Sequence, residues 1–230
     1  MRLTVATRDA IKFACLRFHY AHAVPVATIG FNVYNAGGEW CGVILYGLGA
    51  TPEPGTEYGL KTGEVLELVR VALNGKQEAT SQAVAASLKM LREKCPLCRL
   101  VVSYADIDQA HLGTIYQATN WIYTGETAKT GSFFLIDGRK IHSRTARAVA
   151  IAAFGTSTPE TISKAYHAKD FEYFRSAGKR KYLYPLDRRI RKRILPLAKP
   201  YPKNEDWTPI DYRAQRAAKK AAKQNDTPPQ

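Results

Sequence analysis

The chain has 230 residues, enough for one sizeable hydrophobic core with material to spare. A hydrophobic fraction of 45% excludes a disordered polypeptide, and no apolar run reaches the roughly 18 residues that a membrane-crossing helix needs. With 34 Lys and Arg against 20 Asp and Glu the formal net charge is +14, which points to a polyanionic partner, nucleic acid ahead of an anionic membrane surface, with plain solubility as the other explanation.

The opening MRLTVATRDAIKF carries Arg2, Arg8 and Asp9 where a secretory signal needs an apolar core, so the expected location is the cytoplasm, with no membrane partner. RLTVA reads as a short strand. In DAIKFACLRFHY, Ile11, Ala14, Cys15 and Phe18 fall at helical spacing, with Asp9 as the expected N-cap. TIGFNVYN and EWCGVILYGL read as strands joined through Asn35-Ala36-Gly37-Gly38. GEVLELVRVAL is a further strand. ATSQAVAASLKMLREK is a helix with Val84, Leu88 and Leu91 on one face and Thr80 or Ser81 as cap. CRLVVSYAD reads as a buried strand, QAHLGTIYQATNW as a helix, and IYTGETA and GSFFLIDGRKIH as two closing strands.

This order predicts an α+β or α/β fold with a mixed sheet, and it matches the N-acetyltransferase (GNAT) architecture. The expected domains are 1–163 as the catalytic domain, 164–203 as a basic, aromatic extension packed on it, and 204–230 as a basic tail, partly disordered. In an acetyltransferase the coenzyme A pyrophosphate would rest on the turn before the long helix, here at Gly75 and Lys76. That turn holds one glycine, and Glu78 opposes a phosphate, which argues against ordinary acetyl-CoA usage.

The densest group of chemical side chains runs from Ser103 to Tyr123. Alternation sets Ser103 and Ala105 on one face and Tyr104 and Asp106 on the other. Asp106 stands at the carboxyl end of its strand, where open α/β sheets bind ligands, and both Asp106 and Asp108 have capping as a competing structural role. The same alternation places Arg70 with Leu66 and Leu68, where a charge needs a partner such as Asp106 or a phosphate to grip. Glu67 has the chemistry of a general base, against a structural ion pair. His19 and His22 end the first helix. A set such as His19 and Asp106 suits Fe(II), while a helix C-terminus alone also favours histidine. Cys95-Pro-Leu-Cys98 has half a zinc site's spacing but no second half.

In KRKYLYPLDRRIRKRILPLAKPYPK, cations alternate with tyrosines. Lys179, Arg180, Lys181, Tyr182, Tyr184, Arg188 and Arg189 are therefore expected to bind nucleic acid, with cations on phosphates and rings on unstacked bases.

ELVRVAL, LVVSYADIDQAHLGTIYQATNW and GKRKYLYPL together resemble the Mom family of phage DNA-modifying proteins, over roughly Phe18 to Pro185. The resemblance implies a divergent acetyltransferase fold that converts adenine N6 in double-stranded DNA to N6-carbamoylmethyladenine and so protects phage DNA from restriction. It implies functional roles for His19, Arg70, Ser103, Asp106 and Tyr116 and an association with iron. The donor it leaves open: an aminoacyl-tRNA suits both the fold and the basic surface, with an acyl-CoA as the alternative. The target base must leave the duplex, and Tyr116 or Trp121 is expected to stack on it. The competing functions are an acyl-CoA-dependent N-acyltransferase of a protein or small amine, and a DNA-binding protein without chemistry. A homodimer is compatible with either.

Overall fold

The computed structural model describes residues 1–49, 55–128, 132–203 and 214. The chain runs β1 (Arg2–Val5), α1 (Arg8–Phe18), β2 (Ile29–Tyr34), β3 (Trp40–Gly47), β4 (Val65–Leu73), α2 (Thr80–Lys94), β5 (Leu100–Asp106), α3 (Thr114–Gln117), β6 (Ile122–Glu126), β7 (Ser132–Ile136), β8 (Arg139–His142), α4 (Ser143–Phe154), α5 (Pro159–Ala165), β9 (Phe171–Arg175), β10 (Lys179–Pro185) and α6 (Arg188–Ile194). It divides into two compact units. The first comprises Met1–Ala105, His111–Glu126 and Arg180–Asn204, and the second includes Asp106–Ala110 and Thr127–Lys179. These boundaries cut the chain differently from the expected 1–163 and 164–203, and the expected tail, 204–230, lies outside the described residues apart from Ala214.

The first unit is built on a mixed sheet of order β1-β2-β3-β4-β5-β10-β6, the α+β class expected. The β2–β3 hairpin closes through Asn35–Glu39 as expected, with Gly38 at φ +81 supplying the left-handed residue. On one face α1 lays Ala14 and Cys15 against Val43, Leu45 and Ala72. A second cluster joins Val84, Leu88 and Leu91 of α2 to Phe31, Tyr46, Leu66 and Leu68, and continues to Tyr116, Trp121 and Tyr182. The caps differ from expectation. Thr7, not Asp9, caps α1 and accepts from the Ala10 amide, and α2 starts from Ala79 with no side-chain cap.

Two irregularities in the sheet position the site. Leu45 pairs with Arg70 but Tyr46 pairs with Leu68, so Val69 is an extra residue bulged out of β4. The bulge reverses the alternation. Arg70 does not share the face of Leu66 and Leu68 but that of Leu45 and Ala72, beneath α1, because a bulge shifts every later side chain to the opposite face. The second irregularity is between β4 and β5. Their parallel ladder runs from Val65↔Leu100 to Glu67↔Val102 and stops, so Leu68–Leu73 and Ser103–Asp106 continue without pairing to each other.

The expected helix from Gln109 to Trp121 is only the one-turn α3, preceded by a 3-10 turn at Ile107–Gln109. Ala110 and Gly113 both take left-handed backbone conformations, at φ 57 and 74, and a continuous helix cannot pass through them.

The second unit has its own antiparallel sheet of order β8-β7-β9 and its own core, in which Phe134 and Ile136 meet Ala146, Ala150 and Ile162 of α4 and α5. Of the segment read as one strand from Gly131 to His142, the described residues Ser132 to His142 form a hairpin folded at Asp137-Gly138, both left-handed.

Candidate functional site

The first unit brings His19, Arg70, Ser103 and Tyr116 to the part of the sheet that the bulge and the splayed strands shape. Arg70 Nη1 lies 2.6 Å from His19 Nδ1 and 3.1 Å from Nε2. The Ala21 amide donates to the same Nδ1 at 3.1 Å. Two donors on Nδ1 make it the acceptor nitrogen, which assigns the His19 proton to Nε2. Burial, followed by the Arg70 guanidinium and by His111 and His22, pushes the His19 pKa down to about 4. His19 is therefore a neutral ring at physiological pH. A neutral acceptor leaves the charge of Arg70 uncompensated: no ion pair holds Arg70 among the described residues, and its buried Nε has no hydrogen-bond partner there. The expected pairing of Arg70 with Asp106 is not present.

Beside the splay, buried Ser103 has one proton and two neighbours. Its Oγ is 3.1 Å from the Leu68 carbonyl, an acceptor that the interrupted ladder leaves to a side chain, and 2.8 Å from the Tyr116 hydroxyl. Ser103 therefore donates to Leu68 and receives from Tyr116. Burial, with the nearby Glu67 carboxylate adding to it, pushes Tyr116 up to about 12, so this phenol stays protonated and acts as a donor. Tyr20 and His111 extend the group: the Tyr20 ring is 4.3 Å from that of His19, and it meets His111 edge-on at 5.9 Å. Tyr20 went unremarked in the sequence, although its place between His19 and His22 was a visible signal. Glu67 is half-buried on the same strand as Arg70.

Asp106 and Asp108 fall in the second unit. Asp106 accepts the Asp108 amide at 2.9 Å and caps the 3-10 turn. Buried Asp108 pairs instead with Lys140 at 2.8 Å and accepts the Ala177 amide, so of the two carboxylates with capping as a competing role it is Asp106 that caps. No group of three or more His, Cys, Asp or Glu side chains that could hold a metal is present among the described residues, and a guanidinium at 2.6 Å opposes a cation on His19. These residues do not fit an iron site. Cys98 is buried with its thiol pushed up to about 12 by that burial, and no disulfide joins it to Cys95, so the pair has neither thiolate nor bridge to offer.

Gly75 and Lys76, expected at a cofactor pyrophosphate, form a turn tied to the β2–β3 hairpin. Asn35 donates to the Lys76 carbonyl, Lys76 pairs with Glu39 at 3.4 Å, and Glu78 accepts the Ala36 amide.

The basic segment is partly corrected. Trp121 and Tyr182 are fully buried and Arg180 is 5% exposed, so none of the three presents a surface to nucleic acid. Trp121 packs against Tyr116 and half-buried Tyr184, which also removes the two rings expected to stack on a base. Arg180 donates to the His111 carbonyl at 3.0 Å, and Tyr182 donates to that of Leu112. Together they fix the loop that carries His111. A side chain at Gly113 would strike the Tyr182 ring. Lys181 pairs with Glu57 and lies over Tyr58. Lys179 and, on α6, Arg188 and Arg189 are exposed. Among the described residues no helix is long and apolar enough to cross a membrane.

A family profile described as the Mom protein family matches residues 2–203. The chain is 28% identical over 176 residues to the methylcarbamoylase Mom of Escherichia phage Mu, covering 73% of this chain and 69% of that protein. Among solved structures it is similar to a Bacillus subtilis acetyltransferase in complex with CoA (TM-score 0.43, 10% identity, 81% of this chain and 99% of that one) and to the spermidine/spermine N-acetyltransferase SpeG of Vibrio cholerae in complex with manganese ions (TM-score 0.43, 9% identity, 83% and 95%).

Proposed function

We propose that this chain, which belongs to the Mom protein family, is a phage DNA-modifying transferase that converts adenine N6 in double-stranded DNA to N6-carbamoylmethyladenine. The observation that carries the reading is the family match across residues 2–203, a span that includes every member of the Arg70 cluster. The relative's name, methylcarbamoylase, supports the group transferred.

The chemistry assigns roles. The new bond to N6 forms as the bond between the transferred group and the rest of the donor breaks, the leaving group departing with the electron pair, and an uncompensated guanidinium stabilises the negative charge that develops on the donor. Arg70 is therefore proposed to hold the carbonyl or phosphate oxygen of the donor, an aminoacyl-tRNA or an acyl-CoA. Neutral His19 orients Arg70 without cancelling its charge, and the Tyr116–Ser103 hydrogen bond, whose phenol does not ionise at neutral pH, ties α3 to β5 beside it. N6 must lose one proton as it gains the new group, and Asp106 is proposed as its acceptor. Exposed Lys179, Arg188 and Arg189 are proposed to contact DNA phosphates.

The test is expression in a bacterium carrying a plasmid, digestion of that plasmid to nucleosides, and mass spectrometry. The expected result is an adenosine heavier by one carbamoylmethyl group. Unmodified adenine from soluble, folded protein would overturn the reading.

A further inference from the structure

The second unit contains a cavity of about 610 Å³ whose polar wall is Ser132, His142, Ser143, Arg144 and Arg147. Ala148 and Ile151 supply the apolar part. Arg144, Arg147 and Ile151 follow one stripe of α4, at i, i+3 and i+7, so the two guanidinium stems rise from the same side of the helix, one turn apart. Both arginines are exposed, neither forms an ion pair with a described residue, and no carboxylate lines the cavity.

The remaining groups are donors as well. The Arg144 amide donates to His142 Nδ1 at 3.1 Å, which leaves the His142 proton on Nε2. Burial, with Arg144, Lys179 and Lys140 around it, holds the ring below its ordinary pKa, so it is neutral and still an N–H donor. Ser132 donates to Ser143 at 2.8 Å, leaving the Ser143 hydroxyl proton for an occupant of the cavity. A concave wall of two forked cations, one ring N–H and one hydroxyl matches the oxygens of a phosphodiester. The net charge of +14 favours a polyanionic partner, and this cavity is a place shaped to hold one.

We infer that the α4 cavity is a phosphate-binding site for the backbone of double-stranded DNA, separate from the residues proposed for chemistry. The choice of DNA rests on the proposed function, while the anion site rests on the cavity itself. A site of this kind neutralises phosphates without reading sequence, so it contributes affinity and register rather than base specificity.

The test uses the full chain and a fluorescently labelled random-sequence DNA duplex, with affinity measured by anisotropy across a salt series. Replacing Arg144→Gln and Arg147→Gln together should flatten the slope of log affinity against log salt by about 2, since each phosphate contact contributes a slope of about 0.9. The control, Lys89→Gln with Arg92→Gln on exposed positions of α2, removes the same charge elsewhere and should leave the slope unchanged. An unchanged slope in the α4 variant, an equal drop in the control, or wild-type protein that does not bind the duplex at low salt would each overturn the proposal. A drop confined to a labelled RNA duplex would overturn the assignment to DNA. Plasmid modification by the wild type with an unchanged α4 slope sinks the cavity and leaves the function standing. No modification with a drop specific to α4 does the reverse.

Discussion

At the scale of single residues, Arg70 and His19 form a pair in which neutrality is the useful property. If Arg70 holds developing charge on the donor, Arg70→Gln should lower plasmid modification by about 10- to 150-fold, the range that one charge-assisted hydrogen bond of about 1.5–3 kcal/mol supplies. Circular dichroism should show the fold retained. Unchanged modification in that variant would make Arg70 structural. His19 also sets a pH dependence. In the unfolded chain a histidine takes up its proton near pH 6.5, but His19 in the fold resists until about 4. Between those values the unfolded state binds more protons. His19's contribution to stability is thus present above about pH 6.5 and is lost as pH falls toward 4. Urea unfolding across that window should show a steeper loss for the wild type than for His19→Asn; parallel curves would rule the effect out. Asp106 has two roles that one pair of substitutions separates. Asn keeps the cap on the Asp108 amide and removes the charge, whereas Ala removes both. Loss of modification in Asp106→Asn at wild-type stability supports the proton-acceptor role, and full modification contradicts it.

At the scale of elements, Gly113 is the tightest point. It combines φ +74 with a Tyr182 ring carbon 2.5 Å from where a Cβ would stand. Gly113→Ala should destabilise the protein by about 1–3 kcal/mol, measured as a shift in the denaturation midpoint. Strands and the two long helices of the first unit were legible because the relevant spacings are local: Val84, Leu88 and Leu91 line α2, Phe31 and Val33 alternate in β2, and β3 is a continuous apolar run. The bulge at Val69 was not legible, since it arises from a mismatch with a partner strand and leaves no mark on the spacing within β4. It moved Arg70 to the opposite face and so changed its partner from a carboxylate to His19. Arg180 and Tyr182 of the basic extension were misplaced for a different reason. Charge was read as exposure, although KRKYLYP carries a period-two pattern in which Arg180 and Tyr182 face inward and Lys179 and Lys181 turn outward to differing degrees. A buried arginine at that register is a strand residue whose charge is spent on Glu126 and on the His111 carbonyl. The helices α4 and α5 were missed because small residues, Ala146, Ala150 and Ala165 among them, carry their packed faces and give weak hydrophobic periodicity.

At the scale of the whole molecule, net charge and topology have separate consequences. Duplex affinity should fall linearly on a logarithmic salt scale, and Arg188→Gln with Arg189→Gln on exposed α6 should flatten that line if these residues touch phosphates. An unchanged line would remove α6 from the contact surface. The order of strands bears on how the protein is made. β10 begins at Lys179, after the second unit's strands and helices have been synthesised, yet its place in the sheet is between β5 and β6. A ribosome releases β5 and β6 long before the strand that joins them, so each has an unpaired edge during synthesis. Completion of the first unit awaits a contact distant in sequence, which makes late folding slow and leaves the nascent chain open to aggregation. A chain ended before Lys179 would lack the strand that joins β6 to the rest of the sheet rather than a peripheral appendage.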